Sequence, residues 1–195
     1  MKNHKNTVIV KLRSLLLVAC AGLFVSGCET PTQMESREQS ELGKRQVFLD
    51  TFSEAEYAPF SKPGTGSVSG QAFAVTRGGS VRYAAGRTVL LMPRTRHTIS
   101  YVSAMRENIV DLLYADIVLR LRRNIPQLHP HADAFTKTAI ADAEGRFVFD
   151  GVSEGSYIAA TLISWDTGRQ QTGDYFAGTV EVKDGKKVTV HLKGE

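Results

Sequence analysis

The sequence predicts a mainly β fold, a single antiparallel sandwich interrupted by one helix, and three observations carry that prediction. From Gly64 onward, short runs of β-favouring residues are separated by turn sequences such as "DAEG", "SEG" and "KDGK". In two of those runs the apolar residues recur at every second position, which puts one side of a strand in a core and the other in water. One segment, Thr98 to Ile125, contains neither Gly nor Pro and spaces its apolar residues by three, four and one.

The first strand is "GSVSGQAFAVTR", closed by the turn signal Gly78-Gly79, and the second is "RTVLLMP", stopped by Pro93. The helix comes next, an insert over about 98–125 between strands two and three. Its stripe is Ile99, Val102, Met105, Ile109, Leu112, Leu113 and Ile117, and Pro126 ends it. Its tail, "VLRLRR", alternates well enough to be a strand, so the boundary near Asp116 stays open. The stripe either covers an edge or open end of the sandwich or meets a partner or a membrane surface. Five more strands follow: "AFTKTAIAD", "GRFVFDGV", "GSYIAATLISW", "DYFAGTVEV" and "KKVTVHL". Phe147 and Phe149 alternate with Arg146 and Val148; Val188, Val190 and Leu192 alternate with Lys187, Thr189 and His191. Residues 64–194 suffice for one domain with its own core.

Residues 1–27 read as an export signal. Lys2, Lys5, Lys11 and Arg13 precede the apolar run "SLLLVACAGLFVSG", with no acid among them. That run is shorter than the ~20 apolar residues that span a bilayer as a helix. Val25-Ser26-Gly27-Cys28 resembles the lipobox of bacterial lipoproteins. The resemblance implies cleavage between Gly27 and Cys28, a diacylglyceryl thioether on Cys28 and acylation of the new amino terminus. Cys20, in "LVAC", fits the same short pattern, but six residues separate it from Arg13, against fourteen for Cys28. An apolar signal core needs about 7–15. Ordinary secretion with an incidental cysteine is the alternative. Glu29 after the lipidated cysteine favours, by the same resemblance, transfer to an outer membrane.

Residues 28–63 are polar, carry Pro31, Pro59 and Pro63, and read as a tether. Cleavage at Cys28 leaves no cysteine pair, so the fold must stand without a disulfide. The whole chain has 24 Lys and Arg against 20 Asp and Glu, and the signal removes four cations and no anion. The balance left is even, which gives no ground for a nucleic-acid partner.

Asp142-x-x-Gly145-x-Phe147-x-Phe149, then Gly151-Val152 and Gly155-x-Tyr157, resemble the signature of carboxypeptidase regulatory-like domains. These share the transthyretin-like (prealbumin) fold, so the resemblance implies a seven-stranded Greek-key sandwich over about Gly64 to Leu192. Physically, Gly145 supplies a left-handed turn residue, the Phe pair fills the core, and Gly155 lets the chain reverse before Tyr157. Such domains accompany catalytic domains or act as binding and spacing modules, and fold likeness supplies no activity.

Local matches to catalytic motifs fit the bland readings better. "GVSEG" satisfies Gly-x-Ser-x-Gly, but a nucleophile elbow needs strand–turn–helix, and Ser153 lies between two strand-like runs. "HPHAD" offers His129, His131 and Asp133 as weak metal candidates. Ala134 stands where binuclear hydrolases add a histidine, so a surface loop is the default. Arg120, Arg122 and Arg123 read as a solvated face or a contact for anionic lipid or a partner. Trp165, Tyr175 and Phe176 flank the loop "DTGRQQTGD", as a glycan-stacking surface or as core and rim packing.

The expectation is therefore a non-enzymatic lipoprotein of the cell envelope, lipid-anchored at the outer membrane and acting as a binding or scaffolding module. It requires no cofactor. Its partners would be the outer membrane through its lipid, envelope proteins and, as the alternative function, carbohydrate or peptidoglycan. A metal-dependent hydrolase is the remaining reading.

Overall fold

Among the described residues, eight strands form two sheets around one core, and helices cover the far side of the second sheet. The computed structural model describes residues 49–114, 125–168, 170–183 and 185–193. Gly27, Cys28, the signal and most of the expected tether lie outside them, as does the Arg120–Arg123 cluster. In chain order come α1 (Glu54–Tyr57), a 3₁₀ turn (Ala58–Phe60), β1 (Gly66–Val75), β2 (Val81–Tyr83) and β3 (Thr88–Pro93). Then follow α2 (Arg96–Glu107), α3 (Ile109–Tyr114), α4 (Pro130–Asp133), β4 (Lys137–Ile140) and β5 (Arg146–Val152). The chain closes with β6 (Gly155–Asp166), β7 (Gln171–Val182) and β8 (Lys187–Lys193).

The first sheet is built on β1, which pairs antiparallel with β2 and β5 and parallel with β8. The second has the order β4-β3-β6-β7, antiparallel throughout. All seven expected strands are present. The eighth, β2, is a short addition in the loop after β1. The parallel β1–β8 ladder departs from the all-antiparallel expectation. After β7 the chain turns at Lys183–Lys186 and crosses to the first sheet, where Ser67 N–H binds the Lys186 carbonyl and fixes the parallel register.

Between the sheets lie Val68, Leu91, Phe147, Phe149, Val152, Tyr157, Ile163, Phe176, Val182 and Leu192, all buried. The alternation read in β5 and β8 is thus the core pattern. β6 behaves differently: Tyr157 through Thr161 are all buried, so both of its faces are covered. Its outer face, with Met92 and Tyr175, packs under Tyr101, Val102 and Met105 of α2 and is joined by Ile109, Ile125, Leu128 and Leu49.

The insert therefore covers a sheet face, not an edge or open end of the sandwich. It also starts earlier than expected. Thr95 is its N-cap in a reciprocal capping box: its hydroxyl accepts the Thr98 N–H, and the Thr98 hydroxyl accepts the Thr95 N–H, which is shared with the Pro93 carbonyl. It breaks at Asn108, where the side-chain amide donates to the Ala104 carbonyl. Ile99, expected in the buried stripe, is 39% exposed, whereas Tyr101 takes a place in the core. The domain boundary moves too. Residues 49–63, expected as tether, form a strap in which Tyr57 is fully buried and Phe60 packs on the core.

The β4–β5 turn forms as the motif implies. The Asp142 carboxylate accepts the N–H groups of Glu144 and Arg146, and Gly145 N–H binds the Asp142 carbonyl. Gly145 sits at φ 74°, and a Cβ there would stand 2.3 Å from the Ala72 carbonyl oxygen. Gly145→Ala is expected to cost about 1–3 kcal/mol from the left-handed backbone alone, with the clash added. Urea unfolding should show a lower midpoint at unchanged slope.

Candidate functional site

The aromatic hairpin nominated from sequence does not form a stacking surface. In β6 and β7, Leu162 pairs with Tyr175 and Thr161 with Phe176, so successive residues of β7 point to opposite faces of the sheet. Phe176 enters the inter-sheet core and Tyr175 the helix-covered cluster, at 6% and 4% exposure, and Trp165 packs half-buried against the core. The Tyr175 hydroxyl is buried without a hydrogen-bond partner among the described residues. Burial, with the neighbouring Tyr101 hydroxyl, holds its phenol above the usual range.

The histidines of "HPHAD" are structural. His131 lies on α4, a single helical turn where a loop was expected, and His129 precedes it as its N-cap, the ring Nδ1 accepting the His131 N–H. A third histidine, unremarked in the sequence, lies beneath. His97 is buried; its Nε2 accepts the His129 N–H, and its Nδ1 faces the Asp50 carbonyl oxygen. A carbonyl can only accept, so the ring is the neutral tautomer with its proton on Nδ1. Both nitrogens are thereby used. Phe52 of the strap stacks on the His129 ring at 4.8 Å and meets His97 and His131 edge-on. Among the described residues no group of three or more His, Cys, Asp or Glu is placed to hold a metal ion. His129 and His131, with His97 beneath, thus form the latch that meets Phe52 and holds the strap to the domain.

Two further contacts fasten that strap. Thr95 donates its hydroxyl to the Tyr57 phenol oxygen, and burial raises the phenol above its ordinary range. Glu56 accepts the backbone N–H of Arg96 and pairs with its guanidinium, which together hold the carboxyl below the usual range. Ser153 likewise serves structure: it lies in the tight β5–β6 turn, bonded to the Tyr157 hydroxyl at 2.7 Å. The strand–turn–strand setting is not that of a nucleophile elbow.

What the sequence reading passed over is the outer face of the first sheet. Ser69, Gln71, Phe73 and Val75 of β1 share it with Val81 and Tyr83 of β2, Arg146 and Val148 of β5, and Thr189, His191 and Lys193 of β8. Phe73 and Tyr83 stand directly opposite each other, with ring centroids 6.4 Å apart. Tyr83 and Val81 are each 45% exposed, Val148 55% and Val75 59%. Beside them Gln71 lies between Arg146 and His191 in one cross-strand row. The signal was legible in period two: Phe73 falls in phase with Ser67, Ser69 and Gln71, on the water side of a strand whose core side is Val68, Ala72 and Ala74.

No protein-family model matches the chain, and no curated protein matches it significantly. A candidate carbohydrate-binding protein from Pseudomonas aeruginosa is similar in structure, with TM-score 0.60 and 22% identity over 75% of this chain and 100% of that one. The minor pilin of Streptococcus agalactiae gives TM-score 0.34 and 14% identity, over 67% of this chain and 44% of its own. The pilus backbone protein of Streptococcus pneumoniae gives TM-score 0.27 and 10% identity, over 66% and 41%. The Pseudomonas likeness establishes a shared β-sandwich fold.

His97→Ala removes a buried ring and leaves the His129 N–H unpaired. The expected loss is about 2–4 kcal/mol in urea unfolding. Glu56→Gln should lower the melting temperature at pH 7. The depressed carboxyl stabilises the fold above its unfolded pKa, and that gain is lost as pH falls through the folded value. The gap from wild type should therefore close in acid, in parallel thermal melts at pH 7 and pH 3.

Proposed function

We propose that this chain is a non-enzymatic binding module of the bacterial cell envelope, held at the outer membrane by acyl chains on Cys28. Its contact surface is the open face of the first sheet. One observation carries the reading. The chain covers its second sheet with its own helices, yet leaves Val75, Val81, Tyr83 and Val148 of the first uncovered. Phe73, Val75, Val81 and Tyr83 occupy adjacent cross-strand rows, with Val148 beyond the polar row of Gln71 and Arg146, and an exposed apolar patch rimmed by polar residues marks an interaction site. Kinship with carboxypeptidase regulatory-like domains, suggested by the Asp142–Tyr157 motif, fits such a module. The structural engagement of Ser153, His97 and His129 supports a non-catalytic role. Two or three acyl chains on Cys28 supply an anchor that a single chain would not.

Envelope proteins are the first class of partner. A saccharide is the second, favoured by the Phe73–Tyr83 pair, whose rings offer stacking faces beside the hydrogen-bonding row of Gln71, Arg146 and His191. The shared fold with a candidate carbohydrate-binding protein is consistent with it.

Cys28→Ser should abolish incorporation of labelled palmitate and move the protein out of the membrane fraction; retention there would sink the anchor. Photo-crosslinkers at Tyr83 and Val148 should capture a defined envelope protein in intact cells, and one at the exposed Val110 of α3 should not. If no site gives a protein adduct, while isolated peptidoglycan retains wild type but not Tyr83→Ala, the saccharide reading replaces the protein one.

A further inference from the structure

At one end of the sandwich three connections meet around a cavity of about 320 Å³. The strap supplies Phe60 and Lys62, the α4–β4 connection supplies Phe135, Thr136 and Lys137, and the β5–β6 turn supplies Ser153. Its volume is at the small end of the range for ligand pockets. Loops fixed on a rigid scaffold are where binding groups concentrate.

The lining has a definite chemical character. Among the described residues it includes two ammonium groups and no carboxylate. Phe60 and Phe135 are held in place, Phe60 edge-on to Tyr157 at 5.2 Å and Phe135 against Tyr57 at 5.1 Å. The two hydroxyls are committed as donors. Tyr157 gives its hydrogen to the Ser153 carbonyl, so Ser153 gives its own to the Tyr157 oxygen. Thr136 donates to the Ala132 carbonyl. Both hydroxyl oxygens are left with acceptor capacity alone.

A ligand for this pocket must therefore bring a negative charge for the lysines, hydroxyl donors for Ser153 and Thr136, and an apolar ring face for the phenylalanines. We infer that the pocket binds a carboxylated sugar unit, its carboxylate between Lys62 and Lys137. This site is separate from the open sheet face and stands or falls without it. Lys62 and Lys137 are solvent-exposed, so removing them spares the core.

The test is calorimetric titration of the full-length protein in an uncharged detergent. Glucuronic acid is compared with glucose, and N-acetylmuramic acid with N-acetylglucosamine. At least one acid should bind saturably and about tenfold or more tighter than its neutral counterpart. Which acid does so separates a uronic polysaccharide from peptidoglycan as the source. The Lys62→Ala/Lys137→Ala double variant should lose that preference at an unchanged melting temperature, and the Arg pair should keep it. Equal affinity for acid and neutral sugar, binding that survives the double alanine variant, or no binding of either acid would each overturn the assignment.

Discussion

The structure depends on one constraint: the second sheet is apolar on both faces. A sheet with one wet face needs only a partner sheet. β6 keeps Tyr157, Ala159 and Ile163 for the inter-sheet core and Ile158 and Ala160 for the other side, so a further layer has to exist. α2 supplies it with Tyr101, Val102 and Met105. Each fully buried side chain of this size contributes about 1.5–3 kcal/mol relative to exposure, so the helical insert belongs to the fold. The strap follows from the same need. Leu49 joins the outer cluster, while Tyr57 and Phe52 close over the loop that carries His129.

That division of labour explains why the first sheet is the available surface. Among the described residues, the helical cover goes to the second sheet. The first buries Val68, Phe147, Phe149, Val190 and Leu192 inward and needs nothing on its other side for stability. Its outward Phe73, Val75 and Tyr83 are thus free of a structural duty, and side chains of that kind in water require another explanation.

Much of the fold was legible in the sequence because each strand is short and its punctuation local. The Phe147–Phe149 alternation and the Asp142–Gly145 turn are set by neighbouring residues, and both appear as read. The candidate site was less legible. Trp165, Tyr175 and Phe176 bracket one loop in sequence, but the register of β6 and β7 sends Tyr175 and Phe176 to opposite faces, which aromatic content alone does not reveal. The latch was hidden because His97 and His129 meet only through tertiary packing, 32 residues apart. The pocket was hidden for the same reason, since its lining comes from three separate connections. The Ile99 misplacement has a smaller cause: starting the helix at Thr95 sets which residues complete the inward stripe.

The parallel pairing of β1 with β8 has a consequence for the order in which the chain acquires its structure. Ser69 and the Val188 carbonyl that accepts its hydroxyl are 119 residues apart. Contacts so distant in sequence form only after a large loop-closure entropy has been met, and they slow folding. A chain emerging amino terminus first presents β1 long before its flanking partner exists. One side of β1, and the apolar residues beneath it, must wait for the last strand. Closure is therefore a late, chain-wide event, and a truncation that removes β8 would leave the first strand of the sandwich with an unpaired edge.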